Sequence, residues 1–435
     1  MTAPDSASDH VTPYDRCAWG DTQTEQWLAC GAHAAELGAF FGAGEYRELA
    51  RLARAAQRAP LADPALQVLI VPGIMGSQLG LKRPRPLPDD IVWLDPIDIQ
   101  HGRLAALRLP QSAPVVPLGA VLYSYLRLKL RLRAHGFAAE LHDYDWRQAV
   151  TVSGRALAAR LAGGARCALV AHSMGGLIAR AALALPGTAR VERVILLGTP
   201  NCGSFAAVQA LRGTYAVVRK VARLAGQASA ESLAEQIFST FPSLYDLLPT
   251  GKCSPRSDFL DAATWPRAGP RPRAALLAAA RATQRLLAAP DGRFAAVMGV
   301  GEETVTAAER RGEDFVYTLT RHGDGTVPAV SAALPGARTY CARVAHSDLT
   351  RDPLVAAAVA DLLARGSTRR LPPGPPAAGR AEARVSDTQL RRTHTRKVDW
   401  AALSPDARRE FLENLNEPPG LTLRVPAARR RVRRR

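Results

Sequence analysis

Short apolar runs recur along this chain, each too far from the next to be joined by a hairpin. Val68-Leu69-Ile70-Val71, residues 137–142, Cys167-Ala168-Leu169-Val170, residues 191–197 and residues 294–300 are apolar at successive positions. That pattern fits strands covered on both faces, since a strand with one wet face alternates instead. Between the runs lie stretches of helical composition. Residues 118–135 carry Val121, Leu122, Tyr125, Leu126, Leu128, Leu130 and Leu132 and stop at Gly136, a residue that commonly follows a helix. Residues 149–161 and 177–185 read likewise, the latter running unbroken to Pro186. Strand and helix in alternation predict an α/β fold, a mostly parallel central sheet with helices on both faces. Residues 314–319 and 338–342 are expected to add the last strands, and residues 352–365 a helix that packs on the finished sheet.

The remaining segments depart from this alternation. Residues 1–20 are expected to be disordered, and residues 21–60 to form one or two helices broken near Gly42–Gly44. Residues 61–366 form the α/β domain, with a proline-rich irregular stretch over 81–116. An insertion at about 205–290 is placed to act as a cap or lid. Residues 367–435 begin with a Pro/Gly-rich stretch and read as a largely disordered tail with one short helix over 404–415.

Charge changes the picture only locally. The 435 residues hold 57 Lys and Arg against 39 Asp and Glu, a formal charge of +18. Residues 367–435 alone hold 17 basic and 7 acidic residues, so ten of the eighteen excess charges lie in that tail. Its end, Arg429-Arg430-Arg431-Val432-Arg433-Arg434-Arg435, would be attracted to anionic lipid. No aromatic residues interleave it, so nucleic-acid readout is not expected. The six cysteines form no CxxC pair, and the nine histidines show no HExxH spacing, so neither a metal nor another cofactor is expected. The start of the chain lacks a basic stretch followed by an apolar core, which makes a cytoplasmic protein, with peripheral membrane contact through lid and tail, the expectation.

Candidate chemistry centres on Ala171-His172-Ser173-Met174-Gly175-Gly176. A serine on a turn squeezed between a buried strand and a helix, with small residues around it, is a nucleophile elbow of A-x-S-x-G form. Upstream, the strand at 68–71 delivers Pro72-Gly73-Ile74-Met75-Gly76-Ser77, a loop whose glycines let backbone amides face the site. The amides of Ile74 and Met174 are the candidate oxyanion donors. A serine nucleophile needs a base, and the base needs an orienting acid. Asp324, between two glycines, and His346, in the loop after residues 338–342, follow in the order serine, acid, histidine. His322, Asp348, His172, Asp143 and Asp145 are weaker alternatives. His172 is expected to pack or hydrogen-bond locally, and Asp143 and Asp145 come too early in the chain. These groups point to acyl transfer through an acyl-enzyme.

Eight segments in order resemble the lecithin:cholesterol acyltransferase-like family. They are Pro72–Ser77 with Gln78-Leu79, Trp93–Asp95, Tyr144–Arg147, Ala171–Gly175, Gly198–Ser204, Pro242–Pro249, Gly323–Pro328 and the His346 loop. The resemblance covers residues 66–365 and implies an α/β-hydrolase fold acting on lipid acyl esters, with Ser173, Asp324 and His346 as the triad. It further implies lid and substrate contacts from Trp93 and from the 205–248 segment, with Phe241 and Tyr245. Ala171 departs from the commoner glycine, as in several bacterial lipases. The N-terminal helices and the arginine-rich tail fall outside the resemblance. Sequence does not separate transferase from hydrolase, and a non-catalytic membrane-binding protein on the same scaffold is the reading from another class.

Overall fold

In the computed structural model the described residues are 11–110, 113–374, 383–413 and 415. The central sheet has six strands, all parallel. From one edge they are Arg338–Ala342, Phe294–Gly299, Val191–Leu197, Arg166–His172, Leu66–Val71 and Ala138–Leu141. The chain enters at Leu66–Val71, steps outward to Ala138–Leu141, then crosses back to build the other side from Arg166–His172. The direction of winding therefore reverses between Leu66–Val71 and Arg166–His172. In such sheets a crevice opens at that point, beyond the carboxyl ends of the strands.

Both faces of the sheet are buried, which accounts for the unbroken apolar runs. Leu69, Val71, Leu169 and Leu196 pack with Leu157, Leu161, Leu177 and Ile178 from helices Val150–Leu161 and Met174–Leu183. Val68, Ile70, Val170 and Ile195 face the other way, onto Leu128, Leu132, Val355, Val359 and Leu362 of helices Leu122–Ala134 and Pro353–Arg365.

Helix Leu122–Ala134 is apolar on two sides because it is covered twice. Its Leu122, Leu126 and Leu130 pack under Leu28, Leu37, Phe41, Leu49 and Ala53. Those residues come from three N-terminal helices, Asp21–Cys30, Ala34–Phe41 and Ala43–Arg58, broken at Gly31 and at Gly42. Both glycines have left-handed φ, +82° and +85°, where a side chain would be strained.

Four expectations are corrected. Asp314–Thr320 is not in the central sheet. It pairs antiparallel with Thr304–Arg311 and Ala383–Ser386 in a separate three-stranded sheet. Its burial alternates, with Phe315, Tyr317 and Leu319 inward, the period of a strand covered on one face. Residues 81–116 are not wholly irregular, since Ser77–Leu81 pairs with Asp90–Trp93 and Val116–Ala120, and the predicted helix accordingly starts at Leu122. Residues 11–20 are folded: the buried Asp15 carboxylate accepts the Ile91 amide (2.9 Å) and pairs with Arg83 (3.0 Å).

The tail, too, is folded over residues 383–413. Asp387 is fully buried, accepting Arg212 Nε (2.9 Å) and the Tyr317 hydroxyl (2.7 Å). Trp400 donates to the Tyr14 hydroxyl (3.1 Å), and helix Pro405–Glu413 follows. Basic composition suggests a solvated segment, yet basic groups hold it in place. Arg219 and Arg223 donate to the carbonyls of Thr393 (2.7 Å) and Arg396 (3.0 Å), and Lys397 donates to that of Ala222 (2.7 Å). Residues 1–10 and the arginine cluster 429–435 lie outside the described residues.

Candidate active site

Ser173 sits at φ +53°, ψ −127°, between strand Arg166–His172 and helix Met174–Leu183. A non-glycine residue there is strained, and strain of this kind persists only where the surroundings enforce it. Its amide donates to Leu197 O (2.8 Å). The small neighbours are required: a Cβ on Gly175 would lie 2.5 Å from Pro72 O, and one on Gly176 would overlap Thr199 Oγ1. Gly73 is as tightly placed, since its Cβ would stand 2.8 Å from that of Ser173. The loop and the elbow therefore meet backbone to backbone across the crevice.

His346 Nε2 lies 2.9 Å from Ser173 Oγ, and His346 Nδ1 lies 2.7 Å from Asp324 Oδ2. A carboxylate only accepts, so Nδ1 carries the proton and Nε2 is left to accept the serine hydroxyl. Asp324 is 1% exposed, and its other oxygen takes the amides of Thr326 (3.0 Å) and Val327 (2.7 Å). The His346 amide donates to the Asp324 carbonyl (2.8 Å), so the two residues are joined through backbone as well as side chain. Asp324 reaches this position from the second sheet, at the end of the Asp314–Thr320 hairpin. An isolated bridge between Glu302 and Asp324 brings it beside the end of Phe294–Gly299.

Met174 is the first residue of its helix, where amides have no intrahelical acceptor. Among the described residues the Ile74 amide has no acceptor either, whereas the neighbouring Gly73 amide is taken by the Tyr125 hydroxyl (2.8 Å). The cavity over Ser173 is lined mainly by apolar side chains, among them Ile74, Ala207, Ala210, Val217, Leu244 and Leu247. Three of these, Ala207, Ala210 and Val217, stand on helices Phe205–Leu211 and Ala216–Leu224, so the 205–248 segment forms one wall of the site.

Trp93, Phe241 and Tyr245 do not line this cavity. Each is at most 1% exposed. Trp93 donates to Met75 O (3.2 Å) and packs edge-on against Trp146, as does Phe241. The Tyr245 hydroxyl bridges Ser239 O and the Arg273 amide, both at 2.8 Å. These rings pack behind the 72–77 loop and the 205–248 segment, while Leu244 and Leu247, from the same run as Phe241 and Tyr245, reach the cavity.

Of the alternatives, Asp145 is occupied by the fully buried Arg147 (2.8 Å). His172 is buried beside His346, its Nε2 3.0 Å from the His346 carbonyl and its Nδ1 3.0 Å from the Tyr125 hydroxyl. Tyr125 was legible in sequence only as a core position of a helix. Its contact with the 72–77 loop spans 52 residues and left no local signal. Among the described residues no His/Cys/Asp/Glu group is arranged to hold a metal ion, and no helix is long and apolar enough to cross a membrane.

Residues 157–240, which include Ser173 and the cavity-lining Ala207, Ala210 and Val217, match the PGAP1-like alpha/beta domain. No curated protein shows significant similarity to the chain. Among solved structures, a chain of the Tle4–Tli4 complex is similar at 15% identity and TM-score 0.48, over 68% of this chain and 98% of that one. The mature lipase BlEst2 of Bacillus licheniformis is similar at 17% identity and TM-score 0.36, over 71% and 96%. Phospholipase PlaB of Legionella pneumophila, in complex with thio-NAD, is similar at 13% identity and TM-score 0.27, over 70% and 60%. With the elbow at the reversal of a parallel sheet, the chain has an α/β-hydrolase fold.

Proposed function

We propose that this protein is a serine-dependent lipid ester hydrolase. The observation that carries the reading is the hydrogen-bonded line from Ser173 through His346 to Asp324 at the floor of an apolar cavity. In this reading His346 takes the serine proton as Oγ attacks the ester carbonyl. The oxyanion forms between the Ile74 and Met174 amides, and Asp324 steadies the imidazolium. His346 then protonates the departing alcohol. Water, deprotonated by the same histidine, attacks the acyl-enzyme, and the acid leaves with the serine restored. An acyl chain fits the wall formed by Ala207, Ala210, Val217, Leu244 and Leu247, because that wall offers contact without hydrogen bonds.

The test is hydrolysis of p-nitrophenyl esters and a diacyl phospholipid, together with labelling by a fluorophosphonate. Ser173→Ala is expected to abolish both turnover and labelling. Turnover that survives the substitution would refute the assignment.

A second reading, O-acyl transfer, is favoured by the ordered resemblance to acyltransferases of the lecithin:cholesterol type. It uses the same acyl-enzyme and differs in whether an alcohol or water reaches it. Adding a sterol or glycerol acceptor and separating acylated acceptor from free acid distinguishes the two.

A further inference from the structure

Tyr125 and His172 lie off the proton path, yet together they touch both halves of the site. The Tyr125 hydroxyl accepts the Gly73 amide at 2.8 Å and stands 3.0 Å from His172 Nδ1. His172 Nε2 stands 3.0 Å from the carbonyl of His346. A carbonyl has no proton to give, so Nε2 carries the hydrogen and Nδ1 must accept from the tyrosine. Every proton on this line has one place: amide to hydroxyl, hydroxyl to imidazole, imidazole to carbonyl. Neither side chain is a reserve acid or base. Burial, with the adjacent His346, pushes His172 down to about 3, and burial raises the Tyr125 phenol.

We propose that Tyr125 and His172 are positioning residues that hold the oxyanion loop and the catalytic histidine in fixed relation to each other. The inference rests on the reading of Ser173, His346 and Asp324 given above. Three segments carry that chemistry, and each comes from a different part of the chain. The loop at 72–77 follows the first core strand, the elbow follows the third, and the His346 loop follows the last. His172 belongs to the elbow, one residue before the nucleophile, and grips the backbone of the base. Tyr125, from the helix across the crevice, grips the loop one residue before Ile74. The base is thus held at its amide by Asp324 O and at its carbonyl by His172.

The oxyanion loop needs such a hold. Met75 sits at φ +62°, a conformation that a residue with a side chain keeps only under constraint. The tyrosine hydroxyl also fills the space beside Gly76, whose Cβ would approach it to 2.8 Å. Catalysis by amides aimed at a developing oxyanion depends on their placement to a fraction of an ångström. Displacement by about 1 Å can cost about 100-fold. A contact that fixes position rather than binding substrate acts on kcat and leaves KM alone.

The test uses the full chain with p-nitrophenyl butyrate and an alkyl boronic acid, which adds to the serine and places a tetrahedral oxygen in the oxyanion hole. Tyr125→Phe removes only the hydroxyl and keeps the packed ring. It is expected to lower kcat at least about 10-fold with KM within about twofold, and to weaken the boronate in parallel. His172→Asn keeps an acceptor toward the tyrosine but is too short to reach the His346 carbonyl, so it breaks the line from the other end and should lower kcat likewise. The double variant is expected to be no slower than the slower single, because one line is broken once. A folded Tyr125→Phe at the parental rate, a change confined to KM, or losses that multiply in the double variant would each overturn the positioning role. If the parent fails to turn over, or turns over without Ser173, the proposed reaction itself is refuted. An active, Ser173-dependent parent matched by both variants refutes the positioning role alone.

Discussion

Asp324 uses both carboxylate oxygens in the folded chain, one for His346 Nδ1 and one for two backbone amides. Replacing it by Asn keeps the shape but offers a donor where a carboxylate stood, which favours the wrong histidine tautomer. Asp324→Asn is expected to lower kcat by about 10⁴-fold in steady-state esterase assays, with little change in melting temperature. His172 bears on acid stability. Its folded value near 3 lies below its ordinary 6.5, so in the window between them the unfolded chain binds the extra proton. Its contribution is therefore present above pH 6.5 and is lost as pH falls toward 3, at about 1.4 kcal/mol for each pKa unit of the gap. Asp246, raised to about 6 by burial, works in the opposite sense. The difference between parent and variant isolates the histidine: His172→Gln should flatten the fall in stability between pH 6 and pH 4 in urea titrations, and parallel curves would contradict this. Ser173, Asp324 and His346 were legible in sequence because each announces itself within a few residues, by glycines, by order or by the strand before it. Trp93 and Tyr245 were misread because a resemblance gives a residue's presence but not the direction of its side chain.

At the scale of elements, the central strands were legible because burial on both faces leaves a continuous apolar run that needs no partner to be recognised. Asp314–Thr320 was visible as a strand, but its sheet was not. Its alternation, Phe315, Tyr317 and Leu319 against Val316 and Thr318, already signalled a covering on one side only. The partner strand Ala383–Ser386 lies almost seventy residues on, beyond the Pro/Gly-rich stretch that reads as a domain end. Helix Phe205–Leu211 shows a related limit: the resemblance implied substrate contacts from the 205–248 segment, but the helix's small residues gave no sign of which of them form the cavity wall. Ala210 stands on that wall, which suggests a test of chain-length selection. Ala210→Trp should shorten the space for an acyl chain and raise the butyrate-to-decanoate ratio of kcat/KM by about 10-fold or more, since each methylene in an apolar site is worth about 1–3 kcal/mol. An unchanged ratio would place the acyl chain elsewhere.

Across the whole molecule, the segment that composition assigned to solvent is part of the folded body. Arg212 and Asp387 are both fully buried, 175 residues apart, and the carboxylate also accepts from Tyr317, Thr214 and the Phe315 amide. Breaking such a pair from one side leaves a buried charge without a partner. Asp387→Ala is therefore expected to destabilise the protein by about 3–5 kcal/mol in chemical denaturation, while a double substitution of Arg212 and Asp387 by apolar residues recovers much of that loss. A cost under about 1 kcal/mol would mean that water replaces the carboxylate.

The same pair sets a condition on how the protein is made. A chain emerging from the ribosome exposes Arg212 long before Asp387 exists. At about 5–20 residues per second, the intervening 175 residues take roughly 10–35 seconds to translate. Four of the sheet's six strands precede Arg212, and the last two, Phe294–Gly299 and Arg338–Ala342, emerge during that interval, but the guanidinium has no Asp387 carboxylate to enter the interior with. A nascent chain halted between residues 346 and 387 would thus carry Ser173, Asp324 and His346 while Arg212 still lacks its buried counter-charge, so the last step of folding waits until Asp387 has been made.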